Sequence, residues 1–338
     1  MAGRPRYTKA QLGEYFDRIS LPAHQRLLSI CSLPAAEQLS HLELLLKHQL
    51  VKVPFENLTQ HYSWHRVVDV SPRHLFKKIV HQPGRGGYCM EANSLFHTVL
   101  LSLGYDVYMA GARVYDSSSG RYGGFTHCVN IVTVAGTRYM LDVGFGANGP
   151  TAPVPLPADD AGEGPELPHI SPARMRVRRE PIPQQVNQRC RVWIYQHHTG
   201  IESADWTPMY CFVDIEFIPE DLRAMNMAPW RSPTSFFTRR IIMTRFTTDR
   251  EQAPAEDGGG AGPGSADEEA ISGGRIDGAI ILFGDTLKWR RNGETRLQIK
   301  FKSEEERVEA LKRYFGIVLD EEDRDAIRGT VSEIGDGW

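Results

Sequence analysis

Residues 83–104 read PGRGGYCMEANSLFHTVLLSLG, a glycine-rich turn running straight into an amphipathic segment, with Cys89 at the junction. Leu95, Phe96, Val99, Leu100 and Leu103 recur at i, i+1, i+4, i+5 and i+8, which makes one apolar face of a helix. Gly104 follows as its stop, a position where a left-handed residue ends the helix. The spacing therefore predicts a helix over 89–103 that begins at a thiol. A sulfur there meets the positive end of the helix dipole and unpaired N–H groups, both of which favour negative charge. The thiolate is the nucleophilic form of cysteine. The paired glycines ahead of it let backbone approach a substrate closely. Taken alone, Cys89 reads more readily as a buried structural cysteine, the commoner fate of a lone cysteine.

Two further residues change that balance. Segment 126–134 (THCVNIVTV) is rich in β-branched residues and alternates, Ala135-Gly136-Thr137 is a turn candidate, and 138–143 (RYMLDV) reads as the returning strand. A two-residue turn pairs Val134 with Thr137 and Val129 with Asp142. His127 then shares the face of Val129 and lies diagonal to Asp142, within side-chain reach. A turn one residue longer puts Asp142 on the opposite face. With the shorter turn, the carboxylate can hold one ring nitrogen while the other faces an incoming thiol. Alone, His127 reads as a hydrogen-bonded core histidine. Cys89, His127 and Asp142 together read as a nucleophile, a base and the group that orients the base.

Outward from this hairpin, residues 8 to about 110 read mostly helical, and 38–53 (QLSHLELLLKHQLVKV) carries leucines at helical spacing. Residues 148–189 hold many prolines and read as a long, partly ordered surface loop or insertion. Strands are expected at 190–195, 209–217, 239–247, 279–283, 286–290 and 296–301, with a short helix at 219–227. Segment 303–315 reads as a helix with Ser303 and Glu306 forming a capping box. Residues 251–278 are acidic and glycine-rich. They lack a G-x-x-x-x-G-K-[ST] pattern and read as a disordered hairpin tip, not a phosphate loop. The expected fold class is α+β with three parts: a helical bundle over 1–104, a β-barrel over 105–225 with the 148–189 insertion, and an α/β lid over 226–338 carrying the 251–278 loop.

Composition narrows the partners. The formal charge of −3 offers no basic excess to attract nucleic acid or anionic lipid. No run of about 18 apolar residues suggests a membrane span, and no signal peptide is legible. The five cysteines (Cys31, Cys89, Cys128, Cys190 and Cys211) are odd in number and scattered, which points to a reducing cytoplasm and away from a disulfide framework. A rival reading gathers Cys89, His97, Cys128 and His127 around a metal. Cys128 should face away from His127, and no pair has zinc-motif spacing, so no metal is expected. The pair His197-His198 reads as solvated or structural.

The chain resembles the arylamine N-acetyltransferases over most of its length. The resemblance rests on Val53-Pro54-Phe55-Glu56-Asn57-Leu58, Arg85-Gly86-Gly87-Tyr88-Cys89, Thr126-His127, Asp142-Val143-Gly144-Phe145-Gly146 and Ser232-Pro233-Thr234-Ser235, in this order and at these distances. A eukaryotic member fits best, with a fungal one among the possibilities. The resemblance implies a cysteine-protease-like core and the three-part fold above. It implies a xenobiotic-metabolising enzyme that moves an acyl group by a ping-pong route, from acetyl-CoA or malonyl-CoA to an arylamine, arylhydrazine or aryl hydroxylamine. The family's nucleophile, base and carboxylate fall on Cys89, His127 and Asp142. Its coenzyme-side positions fall on Gly123, Gly124 and Thr234, and its aryl-slot positions on Val114 and Phe145, although Phe145 reads equally as core. The implied partners are a small aromatic amine and coenzyme A, with a monomer as the default.

The donor stays open at this level. Some fungal relatives prefer malonyl-CoA, whose extra carboxylate calls for a nearby cation, and Arg113 and Arg121 are the candidates. A malonyl-specialised enzyme, another Cys-His-Asp enzyme of transglutaminase or peptidase type, and an inactive scaffold are the alternatives to an acetyltransferase. The long acidic loop and the tail ending Ser332-Glu333-Ile334-Gly335-Asp336-Gly337-Trp338 depart from the family pattern.

Overall fold

The computed structural model describes residues 4–157, 162–201, 205–252 and 268–335. The chain opens with helices: α1 (Lys9–Arg18), α2 (Ala35–Lys52), the short α3 (Pro72–Leu75) running into a π-turn at Phe76–Val80, and α4 (Cys89–Leu103). Between them lies a two-residue strand, β1 (Phe55–Glu56). The α4 helix is almost wholly buried, and its C-cap Gly104 sits at φ 97°. The periodicity of 89–103 thus gives the helix and both of its ends. The mostly helical reading of 8–110 is corrected at β1 and at β2, which begins at Asp106. Phe55 and Glu56 are recruited as an edge strand by β10 far along the chain, a pairing that local periodicity cannot show.

The middle of the chain is one eight-stranded antiparallel sheet. Its strands are β2 (Asp106–Asp116), β3 (Arg121–Val134), β4 (Thr137–Leu141), β5 (Val154–Pro155), β6 (Leu167–Pro168), β7 (Arg174–Glu180), β8 (Val192–His198) and β9 (Thr207–Glu216). The order β5-β4-β3-β2-β9-β8-β7-β6 curls until β5 lies beside β7, a nearly closed barrel. Ala110, Ala112, Val129, Ile131, Met140, Met175, Val177, Tyr195, Tyr210 and Phe212 fill its interior. The surface-loop reading of 148–189 is corrected over 174–180. There Met175 and Val177 point into the barrel, while the flanking arginines face outward and mask the alternation in sequence. The β3–β4 turn has two residues, Ala135 (φ 48°) and Gly136 (φ 80°), the paired positive φ values that match hairpin twist.

After the barrel come α5 (Pro219–Arg231), β10 (Ile242–Thr248), α6 (Glu268–Gly273), β11 (Ile276–Phe283), β12 (Thr286–Arg291), β13 (Glu294–Lys300), α7 (Glu304–Phe315) and α8 (Glu321–Asp325). A second antiparallel sheet runs β1-β10-β11-β12-β13. Leu311, Tyr314 and Phe315 of α7 pack on Ile280, Leu282 and Trp289 of this sheet. Its Phe246, Ile276 and Ala279 join the core of the N-terminal helices. Ser303 accepts from Glu306 N, whereas the Glu306 carboxylate takes Lys302 N and not Ser303 N, so only half of the expected capping box forms. The expected disordered tip falls on 253–267, outside the described residues. Its flank, 268–278, is α6 and the start of β11. Together these parts give the α+β architecture: N-terminal helices, a barrel and a C-terminal α/β region.

Candidate active site

Three elements converge on the start of α4. The loop Arg85-Gly86-Gly87-Tyr88 approaches it from below and is clamped against Pro54. A Cβ on Gly86 would lie 1.8 Å from the Pro54 carbonyl oxygen, so only glycine fits. Gly87 N donates to Pro54 O (3.2 Å), and Glu56 N donates to Gly87 O (3.3 Å). A buried set of charges holds the loop from inside. Glu56 accepts from Arg85 Nε (3.0 Å), Gly86 N (3.3 Å) and Leu58 N (2.6 Å). Lys78 Nζ bridges Glu56 (3.4 Å) and Glu91 (2.7 Å), and Glu91 accepts from Tyr88 N (3.2 Å). Burial alone would raise the Glu56 carboxyl, but Arg85 and Lys78 hold it low. Glu91 is pushed up, first by burial and also by the neighbouring Glu56 charge, against Lys78.

Cys89 is the first residue of α4 and is 4% exposed. Its Sγ lies 3.6 Å from Thr126 O. Thr126 is an extra residue in β3: Ala112 pairs with His127 and Arg113 with Phe125, leaving Thr126 unpaired. This bulge turns the strand just before the histidine. His127 enters the barrel end, and its Nε2 hydrogen-bonds Asp142 Oδ2 at 2.7 Å, with both side chains buried. The ring's other nitrogen is left for the Cys89 sulfur, which adjoins the ring and favours its charged form. Burial would lower the His127 pKa, but Asp142 and then Cys89 outweigh it and raise it to about 10. Burial likewise opposes charge on Asp142, yet His127, Asn93 and Gly144 N hold its carboxyl below the usual range. The arrangement is a buried imidazole between a carboxylate and a sulfur.

The β3–β4 register runs from Val134↔Thr137 to Asn130↔Leu141, which is the two-residue pairing expected from the sequence and the reason Asp142 meets His127. Cys128 points the other way, with its Sγ 3.7 Å from Cys89 O. His97 bonds Asn130 (3.1 Å) and His197 meets His169 (3.4 Å), both as buried structural groups. Among the described residues, no cluster of three or more His, Cys, Asp or Glu could hold a metal ion. None of their helices is long and apolar enough to cross a membrane.

Around this centre, Phe145 stands 5.2 Å from the His127 ring and 4.8 Å from Tyr210, which itself lies tilted 4.8 Å from His127. Val114 is half-buried and pairs with Tyr210 across β2 and β9. Gly123 and Gly124 are exposed backbone just ahead of the bulge, and nothing lies within 4 Å of where a Gly124 Cβ would be. Thr234 is exposed, bonded to Ser232 Oγ (2.8 Å), on the segment leading to Phe237. The Phe237 ring lies 5.7 Å from Tyr88 and 6.1 Å from Phe55. Arg121 sits at the distal hairpin tip, opposite Asp116.

Sequence reasoning missed Asn93. It lies one helical turn after Cys89, donates from Nδ2 to Asp142 Oδ1 and Cys128 O (both 2.9 Å), and accepts from Val143 N (3.0 Å). The i+4 spacing was the available signal. In the sequence, Gly144 stands out only as part of the Asp142-Val143-Gly144-Phe145-Gly146 motif. A Cβ there would come 2.7 Å from Cys89 Cα, so the Asp142 loop can lie against the cysteine only through glycine. Tyr210 carried no sequence signal, because β9 reaches the site by barrel closure.

A family model described as N-acetyltransferase matches residues 38–255. The chain belongs to the arylamine N-acetyltransferase family. It is an N-acyltransferase of that family by this match and by its relatives. It is 31% identical to the N-malonyltransferase FDB2 of Gibberella moniliformis, over 96% of this chain and 93% of that protein. The arylamine N-acetyltransferase of Mycobacterium abscessus superposes with a TM-score of 0.70 at 25% identity, over 94% of this chain and 93% of the other. The Mycobacterium marinum arylamine N-acetyltransferase, solved in complex with CoA, gives 0.68 at 25% identity over 94% and 99%. Both superpositions span nearly the whole chain, N-terminal helices, barrel and α/β region alike.

Proposed function

We propose that this family member transfers an acyl group, malonyl in preference to acetyl, from its coenzyme A thioester to the nitrogen of an aromatic amine through a thioester on Cys89. The observation that carries the reading is the buried chain Cys89–His127–Asp142 at the head of α4. The malonyl donor is supported by the relative at 31% identity over nearly the whole chain, an N-malonyltransferase. A reducing, cytoplasmic setting suits a thiol nucleophile, and a monomer suffices, since all three residues come from one chain.

The proton cycle closes within these residues. The Cys89 sulfur, as thiolate beside the His127 imidazolium, attacks the thioester carbonyl. The carbon–sulfur bond to coenzyme A breaks, and His127 passes its proton to the departing sulfur. Neutral His127 then accepts the proton of the attacking amine as the acyl–Cys89 bond breaks, which restores the starting pair. One thioester replaces another in the first half, so that half is close to balanced. Asp142 keeps the ring aligned for both transfers. N–H groups at the head of α4 are placed to receive oxyanion charge. Phe145, with Tyr210 against it, offers an apolar wall for an aryl ring, and Val114 is the strand neighbour of Tyr210. For the coenzyme we assign the open backbone of Gly123 and Gly124 and the exposed Thr234 hydroxyl, an assignment supported by the family resemblance and by their exposure.

Two-substrate kinetics test the reading. With malonyl-CoA and an aniline varied together, double-reciprocal plots should be parallel, and kcat/KM for malonyl-CoA should exceed that for acetyl-CoA. Intersecting lines would remove the covalent step, and an acetyl preference would return the donor to acetyl-CoA.

A further inference from the structure

We infer that α4 carries a second small-molecule site away from Cys89, which takes an uncharged molecule with one hydroxyl group on an apolar body, such as a phenol. The inference is independent of the acyl-donor reading above. A cavity of about 280 Å³ lies between α4, the chain entering α3, β2 and α5, and its apolar walls are Val70, Leu101, Met109 and Leu222. Ser94, His97 and Leu101 line it at i, i+3 and i+7 of α4, so one stripe of the helix faces it. None of Cys89, His127, Phe145 or Tyr210 lines it. A cavity of ~150 Å³ holds benzene, so a substituted aromatic ring has room here.

The polar side of this cavity holds an acceptor with no donor. Asn130 Nδ2 donates to Asn93 O (3.1 Å), so Oδ1 is the Asn130 atom that meets His97 Nδ1 (3.1 Å), and it accepts. His97 Nδ1 therefore carries the proton and Nε2 the lone pair. Among the described residues no donor reaches that nitrogen, although the side chain is only 6% exposed. Ser94, one turn earlier, directs its hydroxyl at the Met109 sulfur 4.0 Å away, a weak acceptor. A buried acceptor without a donor costs about 1–3 kcal/mol. A hydroxyl bound between these two groups donates to His97 Nε2 and accepts from Ser94 Oγ. Charge is not called for. Arg4 at the rim pairs with Glu216 and Arg223 with Glu220, and burial lowers His97 to about 4, which keeps its ring neutral. Asn93 passes on to Asp142 (2.9 Å), so His97 stands three hydrogen bonds from that carboxylate.

Calorimetric titration with phenol, and with toluene as nearly the same shape without the hydroxyl, tests the site. Phenol should bind roughly 3- to 10-fold more tightly than toluene, the worth of one hydrogen bond. Leu222→Trp, which fills the cavity from α5, should remove that binding, and Phe145→Ala, which alters the proposed aryl slot, should retain it. In wild-type protein carrying isotope-labelled histidine rings, the His97 Nε2 resonance should move with phenol and much less with toluene, a readout that needs no variant. Equal affinity for the two compounds, or a His97 resonance that ignores phenol, would overturn the inference. Phenol binding that survives Leu222→Trp and is lost in Phe145→Ala would overturn it too, and would assign phenol to the aryl slot.

Discussion

Asn93 grips Asp142 on the oxygen not given to His127, and the same amide takes Cys128 O and Val143 N. One side chain on α4 therefore fixes the carboxylate, the strand that carries His127 and the loop that follows Asp142. In the proposed cycle it positions and touches no substrate. Replacing it with Ala leaves Cys128 O and one Asp142 oxygen short of a donor in a buried setting. Asn93→Ala should slow Cys89 acylation roughly 10- to 100-fold, the worth of one or two such bonds. It should also move the alkaline limb of the acylation pH profile below the value near 10 that His127 sets, because a loosened Asp142 supports the imidazolium less. A slower variant with an unmoved limb would make Asn93 a packing residue only.

At the scale of elements, α4 was legible because both ends are punctuated: the paired glycines before Cys89, and Gly104 after an unbroken apolar face. Gly104 holds φ 97°, and a Cβ there would sit 2.9 Å from Cys31 Sγ. Gly104→Ala should cost about 1–2 kcal/mol from the left-handed strain alone. Gly13, inside α1 with nothing within 4 Å of its would-be Cβ, should gain about 0.5–1 kcal/mol on replacement by Ala. Paired thermal melts check both, and shifts of the same sign would contradict the account. The β3–β4 hairpin was legible for a similar reason, since Ala135-Gly136 fixes a register that alternation then carries to Asp142. The strand β7 was hidden because four of its seven residues are arginine or glutamate on the outer pleat, and β1 because its partner lies nearly two hundred residues on. Asn93, Glu56 and Tyr210 were missed for a common cause. Each acts through a contact made by packing between elements, which no local period encodes.

Across the whole molecule, histidines carry opposing signs. Burial lowers His41, His48, His61, His97, His169 and His197 to about 4. Below about 6.5 the unfolded chain binds protons these residues refuse when folded, so stability falls as pH drops from about 6.5 toward 4. His127 is raised to about 10, so its contribution is complete below about 6.5 and is lost as pH rises through 10. Stability should therefore peak near pH 6.5, with a steep acid side and a shallow alkaline side. Denaturant unfolding from pH 4.5 to 9.5 checks this, and His127→Asn should flatten the alkaline side alone. A stability that stays level between pH 4.5 and 6.5 would contradict the burial of these rings. Ser332 bonds His61 (2.7 Å), and His61 bonds Phe237 O (2.9 Å), which ties the end of the described chain to an aromatic neighbour of Tyr88.

The central claim is a covalent acyl group on Cys89. Its most direct test is the intact mass of the protein after brief mixing with malonyl-CoA, and separately acetyl-CoA, in the absence of amine. One added acyl group is expected, larger in yield from malonyl-CoA, that disappears when an aromatic amine is supplied and never forms in Cys89→Ala. A folded, reduced protein that gains no mass from either donor, or gains it equally in Cys89→Ala, would contradict it.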